Sequence, residues 1–84
     1  MTTGYNGYRN YETWLVSHTI QNIYWLYMVV YTLLRQDYND SLDDRLEAWM
    51  LQHGVLNWIA RKNRIKINNL MIDWCDIVEV MTEG

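Results

Sequence analysis

Phenylalanine and proline are absent from the 84-residue sequence, cysteine occurs once, and no apolar run reaches membrane length. Without Phe, the aromatic content is five Trp and seven Tyr, so every ring system carries an N–H or O–H that must meet water or a partner. Such rings favour half-buried positions and interfaces. The lone Cys75 cannot close an intramolecular disulfide, which removes the staple that small secreted domains use and points to a reducing cytoplasm. The most apolar window, Ile23 to Leu34, is broken only by Thr32 and falls well short of the roughly 20 residues needed to cross a bilayer. Met1 to Asn10 has neither the basic start nor the apolar core of a secretory signal, so no membrane partner or export route is expected.

What is present is half apolar and one fifth charged, the composition of a folded globule. A chain of this size buries only about 60–65% of its unfolded surface, so residues 1–84 are expected to form one small domain with a thin core. Residues 1–9, with two Gly and no periodicity, are expected to be a flexible arm. Asn10 is placed to cap a first helix, Glu12 meets the positive end of its dipole, and Tyr11, Trp14, Leu15 and His18 share one face. From Ile20 to Tyr38 there is neither Gly nor Pro, and apolar residues fall on both sides of a helix: Ile20, Ile23, Tyr24, Tyr27, Met28, Tyr31 and Leu34 on one stripe, Trp25, Leu26, Val29, Val30 and Leu33 opposite. A helix apolar all round must be central or covered by a second copy of itself, which predicts a homodimer through Tyr24, Tyr27, Met28 and Tyr31.

Ser41 followed by Asp44 has the form of a capping box with a shorter acid, starting a third helix with Leu42, Leu46, Trp49, Met50 and His53 on one face. Gly54 suits the left-handed residue that closes it. Val55 to Arg61 is a further short helix or a continuation after a kink, and Ile65 and Ile67 alternate with charges in an extended stretch near 64–68. Asp73 caps a last helix, Trp74 to Thr82. The expected fold is all-α, a bundle of four to five helices.

No catalytic, cofactor or metal signature stands out. His18, His53 and Cys75 lack zinc-ligand spacing. Asp37, Asn39 and Ser41 begin a calcium-loop pattern that fails at Leu42 and Ala48. Ser17 and His18 are neighbours on a helix, about 100° apart, with no third group to orient the ring. Neither an enzyme nor a cofactor is expected. Charge is segregated instead: Arg35 to Glu47 carries net −3, Arg61 to Lys66 net +4, and Asp73 to Glu83 net −4, within an overall −3. The acids Asp37, Asp40, Asp43 and Asp44 are candidates for contact with a basic partner. Arg61, Lys62, Arg64 and Lys66 either pair with the C-terminal acids or, in an alternative reading, bind nucleic acid.

Asn6-Gly7-Tyr8-Arg9-Asn10-Tyr11-Glu12-Thr13-Trp14-Leu15-Val16 resembles the opening of a group of small proteins of bacteriophages and mobile elements, in which N-G-aromatic-x-N-Y-E-T-W leads into a short helix. Ile72 to Val78 is similar to their closing acidic helix, whereas the aromatic block Tyr24 to Tyr31 stands where that group has a helical pair rich in Asp and Asn. The resemblance carries over no catalytic residue. It implies a setting in a bacterial host's cytoplasm and a non-catalytic, stoichiometric inhibitor of a host defence complex, of the anti-CRISPR or anti-restriction type. A small nucleic-acid-binding accessory protein using residues 61–66 is the alternative.

Overall fold

The computed structural model describes residues 5–36 and 41–83. Five α-helices run in order: α1 (Tyr11–Asn22), α2 (Tyr24–Arg35), α3 (Leu42–Gln52), α4 (Val55–Lys62) and α5 (Trp74–Glu83), with a single 3-10 turn at Asn69–Met71 before α5. The chain is all-α, and no strand occurs among the described residues.

Local chemistry accounts for most helix ends. Asn10 accepts the Thr13 amide through Oδ1 at 2.8 Å, and Asp73 accepts the Asp76 amide at 3.2 Å, so both expected caps form. The capping box at Ser41 does not. Ser41 occupies the N-cap position without a side-chain bond to the backbone, and its hydroxyl bonds the Asp43 carboxylate instead. Aspartate at the third position is one methylene short of the Glu or Gln that reaches back in such a box. Gly54 closes α3 at φ +68, as its position suggested, and α4 begins at the next residue as a separate helix.

Of the two arrangements open to the sequence, one continuous helix or a turn near Gln21-Asn22, the structure has the second. Thr19 Oγ1 bonds back to the Leu15 carbonyl at 2.8 Å and Asn22 Nδ2 to the His18 carbonyl at 2.7 Å, so side chains take up the last turn of α1. Ile23, extended at φ −111 and ψ 110, then breaks the helix before α2. Nor is α2 central. Its buried stripe is Leu26, Val30 and Leu34, flanked by Ile23, Tyr27 and Leu33, which cuts across both stripes drawn from the sequence.

Helix α3 lies at the centre of the packing, touching α2, α4 and α5 and placing Leu46 and Met50 in the core with no exposure. Ile20, Leu26, Ile59 and Ile77 complete that core from α1, α2, α4 and α5. The alternation at 64–68 is real although no strand forms: Ile65 and Ile67 pack against the core while Arg64 and Lys66 stay in water.

The two stretches that carry the resemblance meet in space. Asn10 Nδ2 donates to the Met71 carbonyl at 2.7 Å, Thr13 Oγ1 accepts the Asp73 amide at 3.0 Å, and Asp76 accepts the Arg9 amide at 2.9 Å. Thr13 is fully buried, so the Asp73 amide has its partner inside the protein. The motif therefore clamps the start of α1 to the start of α5. Of its rings, Trp14 packs partly on the core, whereas Tyr11 is exposed, meeting Tyr5 edge to face and Trp14 at a tilt. Within the stretch read as an arm, Tyr5 and Tyr8 exchange two backbone hydrogen bonds of 2.8 Å across Asn6 and Gly7, both at positive φ, and the Tyr8 hydroxyl lies 2.8 Å from Ser17 Oγ. This is a two-residue turn of the kind that an Asn-Gly pair favours.

Candidate functional site

Helices α3 and α5 begin side by side, and their first turns are acidic. Asp43 and Asp44 come from α3, Asp73 and Asp76 from the start of α5, and Glu79 follows one turn later. They converge around Cys75: Asp43 lies against its thiol, and Asp73 and Glu79 are near enough to add their charge. Arg9 opposes them, its guanidinium 3.8 Å from Asp73. Beside these acids lies an open cleft of about 470 Å³, bordered by Arg9, Asp43, Cys75 and the apolar side chains Leu70 and Met71. Leu70 is 89% exposed and Met71 43%, an apolar tip at the rim of an acidic edge.

Of the four acids expected to meet a partner, Asp37 and Asp40 lie outside the described residues. Asp43 is half-buried and engaged internally, accepting the Cys75 thiol at 3.2 Å. Asp44 is exposed. Asp73, Asp76 and Glu79 belong to the same edge, although sequence spacing gave no reason to join them to Asp43 across 30 or more residues. Cys75 is exposed, not a buried core thiol.

The thiol–carboxylate contact shifts both groups. The Cys75 S–H, then the Ser41 hydroxyl, hold the Asp43 carboxyl below the usual carboxylate range. The same hydrogen bond, with desolvation and the surrounding acids, pushes the Cys75 thiol up to about 11. Asp43 therefore stabilises the fold above its ordinary pKa and loses that contribution as pH falls through its lowered value, whereas the thiol partner stays protonated until pH climbs towards 11. A thiol displaced from 9.0 to about 11 is roughly 100-fold poorer in thiolate at pH 8, and the greater nucleophilicity of the less acidic thiolate recovers about tenfold of that. Alkylation of Cys75 at pH 8 should thus run about tenfold slower than in the unfolded chain and keep rising past pH 10, and Asp43→Asn should restore ordinary reactivity. Equal rates for the folded and unfolded chains would contradict the contact.

A second surface is the outer arc of α2, where Tyr24 is 79% exposed and Trp25 54%, followed by Met28, Val29 and Tyr31. Its one charged residue is Arg35, whose guanidinium sits 4.5 Å above the Tyr31 ring. An open groove of about 390 Å³ runs between Met28, Val29 and Leu33 on one side and Trp49 on the other. Three of the four residues expected at a dimer interface, Tyr24, Met28 and Tyr31, are on this arc. Tyr27 is not: it is half-buried on the inner side, packed on the core. Trp25 and Val29 take its place, on an arc of about 140° that a helical wheel of 24, 25, 28, 29 and 32 draws.

The third surface holds Arg61, Lys62, Arg64 and Lys66, all exposed. Among the described residues none of them forms an ion pair. Ser17 is buried and bonded to Tyr8 and Gln21, while His18 is exposed with its ring stacked on Trp14, so these neighbours face different surroundings. Among the described residues no group of three His, Cys, Asp or Glu side chains is placed to hold a metal ion. Compared with protein-family models, with curated proteins and with solved structures, the chain matches none.

Proposed function

We propose that this protein is a stoichiometric, non-catalytic inhibitor of a bacterial host defence complex, of the anti-CRISPR or anti-restriction kind, and that it works by laying its α3–α5 edge on the partner's basic nucleic-acid-binding surface. One observation carries the reading: acids from two helix starts converge beside an apolar tip, Leu70 and Met71, that is exposed among the described residues. Charge of one sign steers the encounter with a phosphate-binding surface, and a desolvated apolar anchor supplies the affinity that rim charges alone do not. The resemblance of the Asn6–Val16 stretch to phage-borne proteins supports the setting. Bacterial cytoplasm is the compartment in which such an inhibitor acts.

The test uses acids that have no internal hydrogen bond among the described residues. Asp44 and Glu79 are exposed and their reversal leaves the Asp43–Cys75 contact and the Asp73 cap in place. The protein added to a purified defence complex should suppress nucleic-acid binding up to a fixed molar ratio, with no turnover. Asp44→Lys combined with Glu79→Lys should weaken that suppression at least tenfold, about 1.4 kcal/mol, without changing the helical circular dichroism. A folded double variant as potent as the parent, or inactivation of excess complex by traces of protein, would overturn the proposal.

A further inference from the structure

The end of α4 carries a conformational anomaly inside the basic cluster. The Ile65 amide bonds the Ala60 carbonyl at 3.0 Å and the Arg64 amide bonds the Arg61 carbonyl at 3.2 Å, which is the paired closure of a Schellman motif. That motif needs a left-handed residue, usually Gly, at the position occupied here by Arg64, whose φ is +57. An arginine in this conformation brings its Cβ against the following carbonyl and is less stable there than glycine. Arg61 and Lys62, in the last turn of α4, have a local account in the negative end of the helix dipole. Arg64 and Lys66, beyond the helix, have none.

Two of the four cations, Arg61 and Lys66, line an open cleft of about 500 Å³ together with Asn57. Lys62 Nζ stands 5.1 Å from the centre of the exposed Trp58 ring, on the neighbouring face of α4. No acid among the described residues neutralises any of the four. The cleft is open and its cations are in water, so it lacks the enclosing apolar walls by which small ligands are held. Several unpaired cations on an open surface fit an extended polyanion better.

We propose that Arg61, Lys62, Arg64 and Lys66 form a sequence-independent contact site for the phosphate backbone of nucleic acid, with Arg64 kept at a strained position for its charge. The site is separate from the acidic edge and does not depend on the inhibitor reading. Each cation that neutralises a phosphate releases counterions, so four contacts on a chain of net charge −3 give weak binding that falls steeply with salt.

The experiment is fluorescence anisotropy of a short labelled duplex, and of its single strand, titrated with the full chain between about 50 and about 200 mM salt. Log affinity should fall against log salt with a slope of about −3.6 on the duplex and about −2.8 on the single strand, a loss on the order of 100-fold for the duplex. Replacing all four cations by Gln should abolish retention. Arg64→Gly separates a binding role from an accident of folding: it should raise Tm by about 4–8 °C as the strain is relieved, yet weaken binding and flatten the slope by about one. Three results would each overturn the proposal: no retention of either probe at about 50 mM salt, Arg64→Gly that binds with the parent's affinity and slope, or a poly-glutamate peptide bound more tightly than either nucleic acid.

Discussion

Leu46→Ala should remove a large share of the protein's stability. Leu46 has no exposed surface and sits on α3, the helix that α2, α4 and α5 all pack against. Truncating a buried Leu removes its transfer free energy and leaves a cavity, together about 2–5 kcal/mol. A chain this short has a total stability of only about 4–13 kcal/mol, and at about 4–8 °C per kcal/mol Tm should drop by roughly 8–40 °C. Leu70→Ala removes the same atoms from a side chain that is 89% exposed and should change stability by less than about 0.5 kcal/mol. Thermal unfolding of the pair followed by circular dichroism is decisive: equal Tm values would mean that the core lies elsewhere than around α3.

The features legible beforehand were those set by residues a few positions apart. Asn10, Gly54 and Asp73 do what local backbone chemistry requires of a cap or a left-handed closure, and three of the five helices begin at the residue after those signals. Where two local signals competed, the stronger donor or acceptor won. At Ser41 a carboxylate two residues away took the hydroxyl that the box assigned to the backbone. At Asn22 a side-chain amide caught the His18 carbonyl and ended a helix that contains neither Gly nor Pro.

The inner stripe of α2 was hidden for a different reason. Apolar residues on every side give periodicity nothing to choose between, and only the neighbours Leu46 and Ile77 decide that Leu26 and Val30 turn inward while Tyr24 and Trp25 stay in water. The candidate site was hidden by distance along the chain. Asp43 and Cys75 meet across 32 residues, as Thr13 and Asp73 do across 60, and no pattern within one window predicts such pairs. The motif and the acidic tail were each conspicuous in the sequence, yet only the packing of α1 against α5 makes them one structure. Arg64 sits in a conformation that residue type argues against, which is why extended backbone was the natural expectation there.

The outer arc of α2 should bring two copies of the protein together. Tyr24, Trp25, Met28 and Val29 are between 37% and 79% exposed, and two aromatic side chains of roughly 150–250 Å² each account for on the order of 250 Å² of that surface. The arc is self-complementary in charge, since its single cation, Arg35, already lies over Tyr31 at the end of the helix and no acid of α2 faces it. Two such helices packed antiparallel, each about 18 Å long, cover on the order of 1,000 Å² with help from Trp49 beside the groove, at the low end of what a specific interface needs. The expected product is a homodimer of micromolar affinity, related by a two-fold axis across Met28. Sedimentation equilibrium at tens of micromolar should return close to twice the 10.2 kDa chain mass, falling towards one copy on dilution. Trp25→Glu with Met28→Glu places two charges in the contact and removes nothing from the core, so it should stay helical and sediment as a single chain at every concentration. A parent protein that sediments at 10.2 kDa without concentration dependence would leave the arc to another partner and end the dimer proposal.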